Sequence, residues 1–403
     1  MRFLLLGLGF ITQLAFAANP YVYVGRLTAT SAILAWGTAE GSGKANTIGR
    51  EAESLGPVEV EIGSQKHTTQ RAWIDIRNLQ PDTVYPYSIK VHGAEIGHGI
   101  LRTWPSEANR LRFFVLGDYG NGESGQYAIA RAMDHRLAAD PASPPRFVLT
   151  TGDNIYGFPL GIYTINSGDR DRHWRTRFFE PYRNLLGSVP FYPSLGNHDG
   201  NQSDNKGDLA TYLDNFFFPG DPPSRYYNFS IGGNMAEFFA LDSTNITGSA
   251  NGPSSPQFLW LKKSLELSKA RWKIVYFHHP PYNAGPLHGA SLKPLKHWMD
   301  LFERTGVQIV FNGHEHNFQH ARHGGIDYFL TGAGGELRKG DIAGKLAQAG
   351  VDAFLNERHF LEVILNNDEA EIRLWGAGGE LKPLDQNHRP VPTPFHVPLN
   401  RSQ

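Results

Sequence analysis

The segment RFFVLGDYG, residues 112–120, is the stretch that decides the fold. Its first half, Arg112 to Leu116, is a short apolar run of the kind that forms a buried strand, and it leads directly into Gly117-Asp118. The same order, an apolar run followed by a polar residue, recurs four more times along the chain. These repeats lie at residues 147–153, 238–242, 273–278 and 307–314.

Segments with helical spacing lie between these runs. In the first of them, Ile129, Met133 and Leu137 share one face. Helices are expected at residues 124–139, 257–270 and 293–305, and two closing strands at 360–365 and 370–375. Alternating strands and helices predict an α/β domain, which we place at residues 110–385. Polar residues just after strand ends lie where such domains carry their sites.

The region before this pattern, residues 20–104, predicts only strands. Apolar and polar residues alternate at Ala32–Trp36 and Arg71–Ile76, and seven short strands fit the length. The segment Leu79–Tyr85 resembles the corner of fibronectin type III-like sandwiches, in which a tyrosine hydroxyl satisfies backbone groups. We therefore predict an all-β, fibronectin type III-like sandwich that serves as a packing or spacer module, joined to the next domain by a linker at 103–108.

Composition narrows the class of protein. The chain has 403 residues, 40% hydrophobic and 19% charged, with a formal net charge of −1 and no cysteine. This balance suits a globular protein and gives no general attraction to nucleic acid or anionic lipid, so we expect no nucleic-acid partner. Without cysteine, a metal can be bound only through oxygen and nitrogen atoms.

Residues 1–17 have the pattern of an export signal. Arg2 supplies a positive start, Phe3–Phe16 is an apolar run, and Ala15-Phe16-Ala17 is a small-x-small cleavage site. The alternative is a membrane anchor, but the run is short for a membrane span. We predict an exported protein, periplasmic or secreted, without a stable membrane anchor.

Five short segments carry side chains that bind metals. Together they hold two aspartates, a tyrosine, an asparagine and three histidines, the right number and kind of ligands for two metal ions that share one carboxylate. A Gly-Asp pair after a strand is by itself a common turn, so the combination in this order carries the prediction. The candidate ligands are Asp118, Asp153, Tyr156, Asn197, His278, His314 and His316.

This ligand set resembles that of the calcineurin-like metallophosphoesterases, and with Tyr156 it is most similar to the purple acid phosphatases. The resemblance implies two facing mixed sheets flanked by helices. It also implies two overlapping ligand sets, which share Asp153: Asp118, Asp153, Tyr156 and His316 for the first metal, and Asp153, Asn197, His278 and His314 for the second.

The donor chemistry agrees with this division. A phenolate with carboxylates suits a trivalent ion such as Fe(III), and the less charged second set suits a divalent ion, Fe, Zn or Mn. The alternative role for Tyr156 is a hydroxyl that only lines the site.

Three residues outside the ligand set are predicted to be catalytic. The resemblance implies that His198 helps to hold phosphate and aids the leaving group, as a protonated imidazole can do in mild acid. Asp199 can orient that imidazole through a hydrogen bond. His288 is the candidate for a second outer histidine, against the alternative of an ordinary loop residue.

Three other polar residues leave the interpretation open. His279 directly follows His278, and the spacing favours His278 as the ligand. His320 stands where relatives often carry an arginine, which puts a substrate contact there in doubt. Asp242, at the end of an apolar run, is expected to be a structural turn residue rather than a ligand.

We interpret the chain as an exported dinuclear-metal phosphatase that hydrolyses small phosphate monoesters by attack of a metal-bound hydroxide. Residues 386–403 are expected to form a C-terminal tail. One alternative is a phosphodiesterase or nucleotide-cleaving enzyme with two divalent metals. The other is a non-catalytic binding protein built on a phosphatase scaffold.

Overall fold

The computed structural model describes residues 20–39, 48–50, 52, 56–156, 158–160, 163–165, 173–199, 209–219, 224–244 and 251–399. The predicted export signal, residues 1–17, lies outside these ranges. Among the described residues, no helix combines the length and the apolar character needed to cross a membrane.

As far as the structure describes residues 20–102, they form strands and no helix, as predicted. The seven strands are β1 (Tyr21–Leu27), β2 (Ser31–Gly37), β3 (Val58–Ile62), β4 (Gln65–Thr69), β5 (Trp73–Arg77), β6 (Val84–Val91) and β7 (Ala94–Arg102). They form two antiparallel sheets with the orders β1-β2-β5 and β4-β3-β6-β7. Alternate residues of β3, namely Val58, Val60 and Ile62, are buried, as expected of a strand with one face toward a core.

The predicted tyrosine corner is present. The hydroxyl of Tyr85, at the start of β6, accepts a hydrogen bond from the backbone N of Gln80 at 2.8 Å. This bond ties the end of one connection to the strand that follows it, because it satisfies a backbone donor that the turn leaves without a partner in the sheet.

The segment 103–108 packs more tightly than its predicted role as a linker suggested. Trp104 is 5% exposed and lies against the rings of Phe147, Tyr192 and Phe229 at centroid distances of 5.7–5.9 Å. The connection is therefore part of the hydrophobic core that joins the two parts of the chain.

Buried tyrosines also attach the β-sheets to the rest of the protein. The hydroxyl of Tyr23 donates to the carbonyl of Asn215 at 3.0 Å, and that of Tyr87 donates to the carbonyl of Gly187 at 2.7 Å. Both contacts are polar groups satisfied within an otherwise apolar interface. The N-terminal sheets thus share one hydrophobic core with the rest of the chain.

The second part of the chain alternates strands and helices. Its strands are β8 (Leu111–Leu116), β9 (Val148–Thr150), β10 (Phe158–Leu160), β11 (Tyr163–Ile165), β12 (Phe191–Pro193), β13 (Tyr227–Ile231), β14 (Ala236–Ala240), β15 (Trp272–Tyr276), β16 (Ile309–Asn312), β17 (Phe318–His323), β18 (Ile326–Thr331), β19 (Ala353–Leu355), β20 (Phe360–Leu365), β21 (Glu369–Gly376), β22 (Gly379–Leu381) and β23 (Phe395–Pro398). Its α-helices are α1 (Ser124–Ala138), α2 (Arg183–Leu186), α3 (Ala210–Asn215), α4 (Pro256–Leu267), α5 (Leu292–Thr305) and α6 (Leu346–Ala349).

Two seven-stranded mixed sheets form the centre of this domain. One has the order β12-β9-β8-β20-β21-β22 with β23 also beside β21, and the other has the order β13-β14-β15-β16-β18-β17-β19. Phe113 of the first sheet meets Phe238 and Phe311 of the second at centroid distances of 5.2 and 6.4 Å, so the sheets face each other. The predicted pair of facing mixed sheets is confirmed.

Helices cover the outer faces of this pair. Arg136 of α1 lies 4.2 Å above the ring of Trp375 in β21, and Trp298 of α5 packs edge-on against Phe277 at 5.2 Å. The three longest predicted helices occur within three residues of their expected ends.

The prediction that the chain ends in a tail after residue 385 is wrong. Residues Phe395–Pro398 pair with β21 as strand β23, and the ring of Phe395 packs against Phe318 at 5.8 Å. The seven-stranded sheet that contains β21 therefore includes residues beyond 385. Four residues are too short for alternation to mark a strand, and pairing with β21 fixes this one.

A buried ion pair joins two strands under α1. The carboxylate of Glu362 in β20 accepts hydrogen bonds from Nε of Arg112 in β8 at 2.6 Å and from Nη2 of Arg136 at 3.1 Å. Arg112 bonds to Oε1 of Glu362 and Arg136 to both oxygens, while Nε1 of Trp375 donates to Oε2 at 2.8 Å. The side chains of Arg112 and Glu362 are each 1% exposed, so each charge depends on the other.

Candidate metal centre

The candidate ligands follow the carboxyl ends of parallel strands in both sheets. Asp118 follows β8, Asp153 follows β9, and Asn197 follows β12 in the first sheet, while His278 follows β15 and His314 follows β16 in the second. Because parallel strands end at the same edge of a sheet, the facing sheets bring these loops together.

The first group of donors lies around Asp118. One donor atom each of Asp118, Asp153 and His316 lies within 4.8 Å of the other two, an arrangement that can hold a metal ion. The hydroxyl of Tyr156 lies 3.2 Å from Oδ1 of Asp118 and 3.1 Å from Nε2 of His316. The four residues expected to bind the first metal are thus neighbours.

The second group of donors lies around Asn197. Its Oδ1 is 2.9 Å from Nε2 of His278 and 3.0 Å from Nδ1 of His314, and Nε2 of His278 is 3.3 Å from Oδ2 of Asp153. Asp153 therefore lies between the two groups, where a shared carboxylate is expected.

A backbone carbonyl on the side away from the ligand groups fixes the orientation of the His278 ring. Its Nδ1 lies 2.9 Å from the carbonyl oxygen of Thr151, which can only accept a hydrogen bond. Nδ1 therefore carries the proton, and in the neutral ring the lone pair of Nε2 points toward Asp153 and Asn197. Histidine ligands of metals are commonly held in this way.

Three candidate ligands have left-handed backbones. The φ angles of Asp118, Asp153 and His314 are 54°, 50° and 75°. Residues other than glycine adopt this region at a cost, and such strain concentrates at functional sites where the surrounding structure imposes it.

Two glycines allow the loops to approach each other. Gly152 has φ of 92°, and a Cβ there would lie 2.6 Å from Nδ1 of His278. A Cβ on Gly196 would collide with the backbone N and Oδ1 of Asp153. Side chains at either position would push the ligand loops apart, which explains the Gly-Asp and Gly-Asn patterns in the sequence.

The charges in the cluster fit bound cations. Burial opposes ionisation of Asp153, but His278 and His198 outweigh it and hold the pKa of Asp153 well below its usual range. Burial raises the pKa of Asp118, and the neighbouring Asp153 acts in the same direction. Burial would lower the pKa of His278, but Asp153 and Asp118 raise it to about 9. Two buried carboxylates this close together repel each other when both are ionised, and bound cations would relieve that repulsion.

The other two histidine ligands are held neutral. Burial lowers the pKa of His314, and the neighbouring His278 adds to the effect. Burial and then Arg338 lower the pKa of His316 to about 3. A histidine must be neutral to bind a metal, so both rings are prepared for that role.

The cluster opens into a cavity of about 280 Å³, which we call the site cavity. Its lining residues are Asp153, Asn197, His198, His288, His314, His316 and Arg338. Both predicted outer histidines are therefore at the site, with His288 stacked on His314 at a centroid distance of 4.0 Å.

His198 lies beside the predicted tyrosine ligand. Its ring centroid is 4.7 Å from that of Tyr156, and its backbone N donates to Oδ1 of Asp153 at 2.8 Å. Its Nδ1 is buried and has no hydrogen-bond partner among the described residues. A buried imidazole nitrogen without a partner is costly, so this nitrogen is an unsatisfied polar group next to the ligand Asp153.

The prediction that Asp199 orients the His198 ring through a hydrogen bond is wrong. The Asp199 carboxylate accepts hydrogen bonds from the backbone N of Asn154, Ile155 and Gly196 at 2.7–3.2 Å, and from Nδ2 of Asn154 at 2.9 Å. These donors saturate both oxygens. Asp199 therefore holds the Asp153 loop against the Asn197 loop and does not orient the His198 ring.

The three residues left open by the sequence make other contacts than the candidate ligands do, although the ring of His279 lies 4.5 Å from that of His314. Nδ1 of His279 is 2.9 Å from the hydroxyl of Ser243, so the adjacent His278 is the one that faces the cluster. Nε2 of His320 is 2.9 Å from Asp327. Asp242 accepts from Nε of Arg225 at 2.6 Å and from the backbone N of Thr244, as expected of a structural turn residue.

Sequence reasoning missed two residues at the site. Arg338 lines the site cavity, and Glu315 lies fully buried between the ligands His314 and His316. A carboxylate between two ligands was a usable signal for Glu315, because ligands are commonly supported by neighbouring polar groups. Arg338 had no local signal, since only the fold brings it to the cavity.

Comparisons with known proteins agree with this geometry. A family model described as calcineurin-like phosphoesterase matches residues 111–318, just over half of the chain. Purple acid phosphatase 17 of Arabidopsis thaliana is 27% identical over an alignment 298 positions long, which covers 67% of this chain and 82% of that protein.

Two solved structures share the fold. A structure described as PhoD superposes with a TM-score of 0.70 at 16% identity, covering 94% of this chain and 93% of that one. Purple acid phosphatase PPD1 from yellow lupin (Lupinus luteus) seeds gives a TM-score of 0.63 at 14% identity, covering 90% and 72%. Identities this low show similarity of fold.

Proposed function

The chain belongs to the calcineurin-like phosphoesterase family, and from this premise we propose that it hydrolyses small phosphate monoesters at a dinuclear metal centre. It is a metal-dependent phosphoric ester hydrolase similar to the purple acid phosphatases. The observation that carries the proposal is the convergence of two donor groups on Asp153, beside a cavity lined by His198 and His288.

Bound cations would lower the pKa of a water molecule and neutralise the phosphoryl oxygens during in-line attack. The donors around Asp118 would hold one cation and those around Asn197 the other, with Asp153 shared. His198 and His288 are placed on the cavity wall to donate hydrogen bonds to a phosphoryl oxygen. When protonated, His198 can pass a proton to the leaving-group oxygen.

We propose Fe(III) near Tyr156 and a divalent ion, Fe, Zn or Mn, near Asn197. A phenolate with two carboxylates is a hard, anionic set, which favours a trivalent ion, whereas amide and imidazole donors suit a divalent one.

Replacing Tyr156 with phenylalanine tests the trivalent ion. The iron-loaded wild-type protein should absorb visible light through charge transfer from the phenolate to Fe(III), and Tyr156→Phe should lose this band. Turnover should fall at least ~10-fold, the lower limit of losses seen even for residues that only support a ligand. Tyr127→Phe is the matched control, since the Tyr127 hydroxyl bonds to the carbonyl of Thr176 outside the cluster. A visible band of full intensity in Tyr156→Phe would show that Tyr156 only lines the site.

Turnover of paired aryl phosphate monoesters and diesters across pH tests the function itself. We expect faster cleavage of the monoester, and an acidic optimum because relatives of the chain are named acid phosphatases. Faster diester cleavage, or an optimum above neutrality, would favour a phosphodiesterase with two divalent metals. Metal-loaded protein that cleaves neither ester would contradict the proposal in favour of a binding protein.

We also propose that the protein is exported after removal of residues 1–17, to the periplasm or the medium. The pattern Arg2, Phe3–Phe16 and Ala15-Phe16-Ala17 supports this. The N-terminal domain is proposed to be fibronectin type III-like. Its three- and four-stranded antiparallel sheets and the Tyr85 corner support that assignment.

A further inference from the structure

Arg338 lines the site cavity together with the candidate ligands. It follows β18 in the chain, and its backbone N donates to the carbonyl of His316 at 2.9 Å, so this segment runs beside a ligand. The side chain is 24% exposed and belongs to the same cavity wall as His198 and His288. A fixed cation thus faces the position where a substrate must meet the two donor groups.

Glu315 holds this cation in place. Its Oε1 accepts a hydrogen bond from Nη1 of Arg338 at 2.9 Å. Its Oε2 accepts from the backbone N of Leu287 at 3.1 Å and of His288 at 2.7 Å. One buried carboxylate therefore fixes both Arg338 and the loop that carries His288.

The guanidinium keeps most of its hydrogen-bonding capacity. Within the described part of the chain, its side chain makes one hydrogen bond, to Glu315, which leaves four of its five N–H groups available. A purely structural role would need only neutralisation of Glu315. Partial exposure to the cavity and the remaining parallel N–H groups instead suit bidentate contact with a phosphoryl group.

We propose that Arg338 is a substrate-binding residue that contacts the phosphoryl oxygens, and that Glu315 is the positioning residue for Arg338 and for the His288 loop. This inference rests on the proposed phosphatase function and deepens it. A monoester dianion carries three non-bridging oxygens and gains more from an added cation than a diester monoanion does. Arg338 is therefore expected to favour monoesters.

The test uses the metal-loaded full-length protein and its R338Q, R338K and E315Q variants. R338Q should raise KM for an aryl monoester and Ki for inorganic phosphate by ~10- to 100-fold, the range for hydrogen bonds to charged groups. KM for the diester should rise less. R338K should restore part of the affinity, because it returns the charge without the bidentate geometry. E315Q should raise Ki for phosphate at unchanged metal content.

Arg322→Gln is the matched control, since Nη1 of Arg322 bonds to the buried carboxylate of Asp327 at 3.0 Å outside the cavity. It should leave KM and Ki unchanged. If the wild type is active and R338Q keeps its Ki for phosphate within 2-fold of the wild type, the inference about Arg338 fails while the proposed function stands. A wild type inactive on every phosphate ester contradicts the proposed function instead, and phosphate binding measured by calorimetry still tests Arg338.

Discussion

Replacing Asp153 with alanine should abolish turnover and remove bound metal. Its carboxylate lies between the two donor groups, 3.3 Å from Nε2 of His278 and within the cluster formed with Asp118 and His316. Loss of a shared ligand weakens both positions, so metal affinity should fall by more than the ~10- to 100-fold typical of residues that only support a ligand. Metal content by emission spectroscopy and kcat on an aryl phosphate measure both effects.

A second variant at Asp153 tests the role of its charge, and a variant at Asp300 serves as the control. Asp153→Asn keeps the size of the side chain and an acceptor for the backbone N of His198, yet it removes the negative charge, so it should lose metal as well. Asp300→Ala removes an aspartate from an exposed pair with Lys296 and should behave as wild type. Two metals per chain and normal kcat in Asp153→Ala would overturn the assignment of Asp153.

The metal centre was predictable because its signals are local. His278 follows the buried strand β15, and His314 follows β16, so an apolar run and the next polar residue mark each ligand. The residue types then limit the chemistry to oxygen and nitrogen ligands. Parallel strands end at one edge, so the fold brings these local signals together.

Residues whose roles depend on the completed fold were not predictable in the same way. The Asp199 carboxylate could be expected to reach the adjacent His198, but backbone N–H groups of the Asp153 loop and of Gly196, in its own loop, take up its two oxygens. Arg338 reaches the cavity only because Glu315 and the His316 carbonyl hold it there. Competition for hydrogen bonds is decided in three dimensions, where spacing along the chain gives no signal.

Strand β23 and the packed connection at Trp104 have the same explanation. Four residues, Phe395–Pro398, are too few for a period to be recognised, and pairing with β21 defines them. Trp104 lies in a segment whose composition suggested a linker, yet it is buried among rings from the second domain. Packing against residues that are distant in the chain cannot be predicted from the local sequence pattern.

Replacing Glu362 with alanine should destabilise the protein by ~3–5 kcal/mol, the cost typical of removing one partner of a buried ion pair. Arg112 would keep its charge at 1% exposure without the carboxylate that it contacts at 2.6 Å. Trp375 Nε1 would also lose its acceptor. Denaturant unfolding of the metal-loaded protein measures the loss of free energy of unfolding.

A double variant distinguishes the cost of an unpaired charge from the loss of packing. Arg112→Met with Glu362→Leu removes the two fully buried charges at similar volume, and such replacements are often neutral or stabilising. Part of the loss should therefore be recovered, while Arg136 and Trp375 Nε1 still lack their acceptor. Glu266→Ala, in an exposed pair with Lys262, should cost ~0.5 kcal/mol or less. If Glu362→Ala costs no more than Glu266→Ala, the Arg112–Glu362 pair does not hold β8 and β20 together. If the double variant is as unstable as the single one, packing rather than the unpaired charge of Arg112 carries the loss.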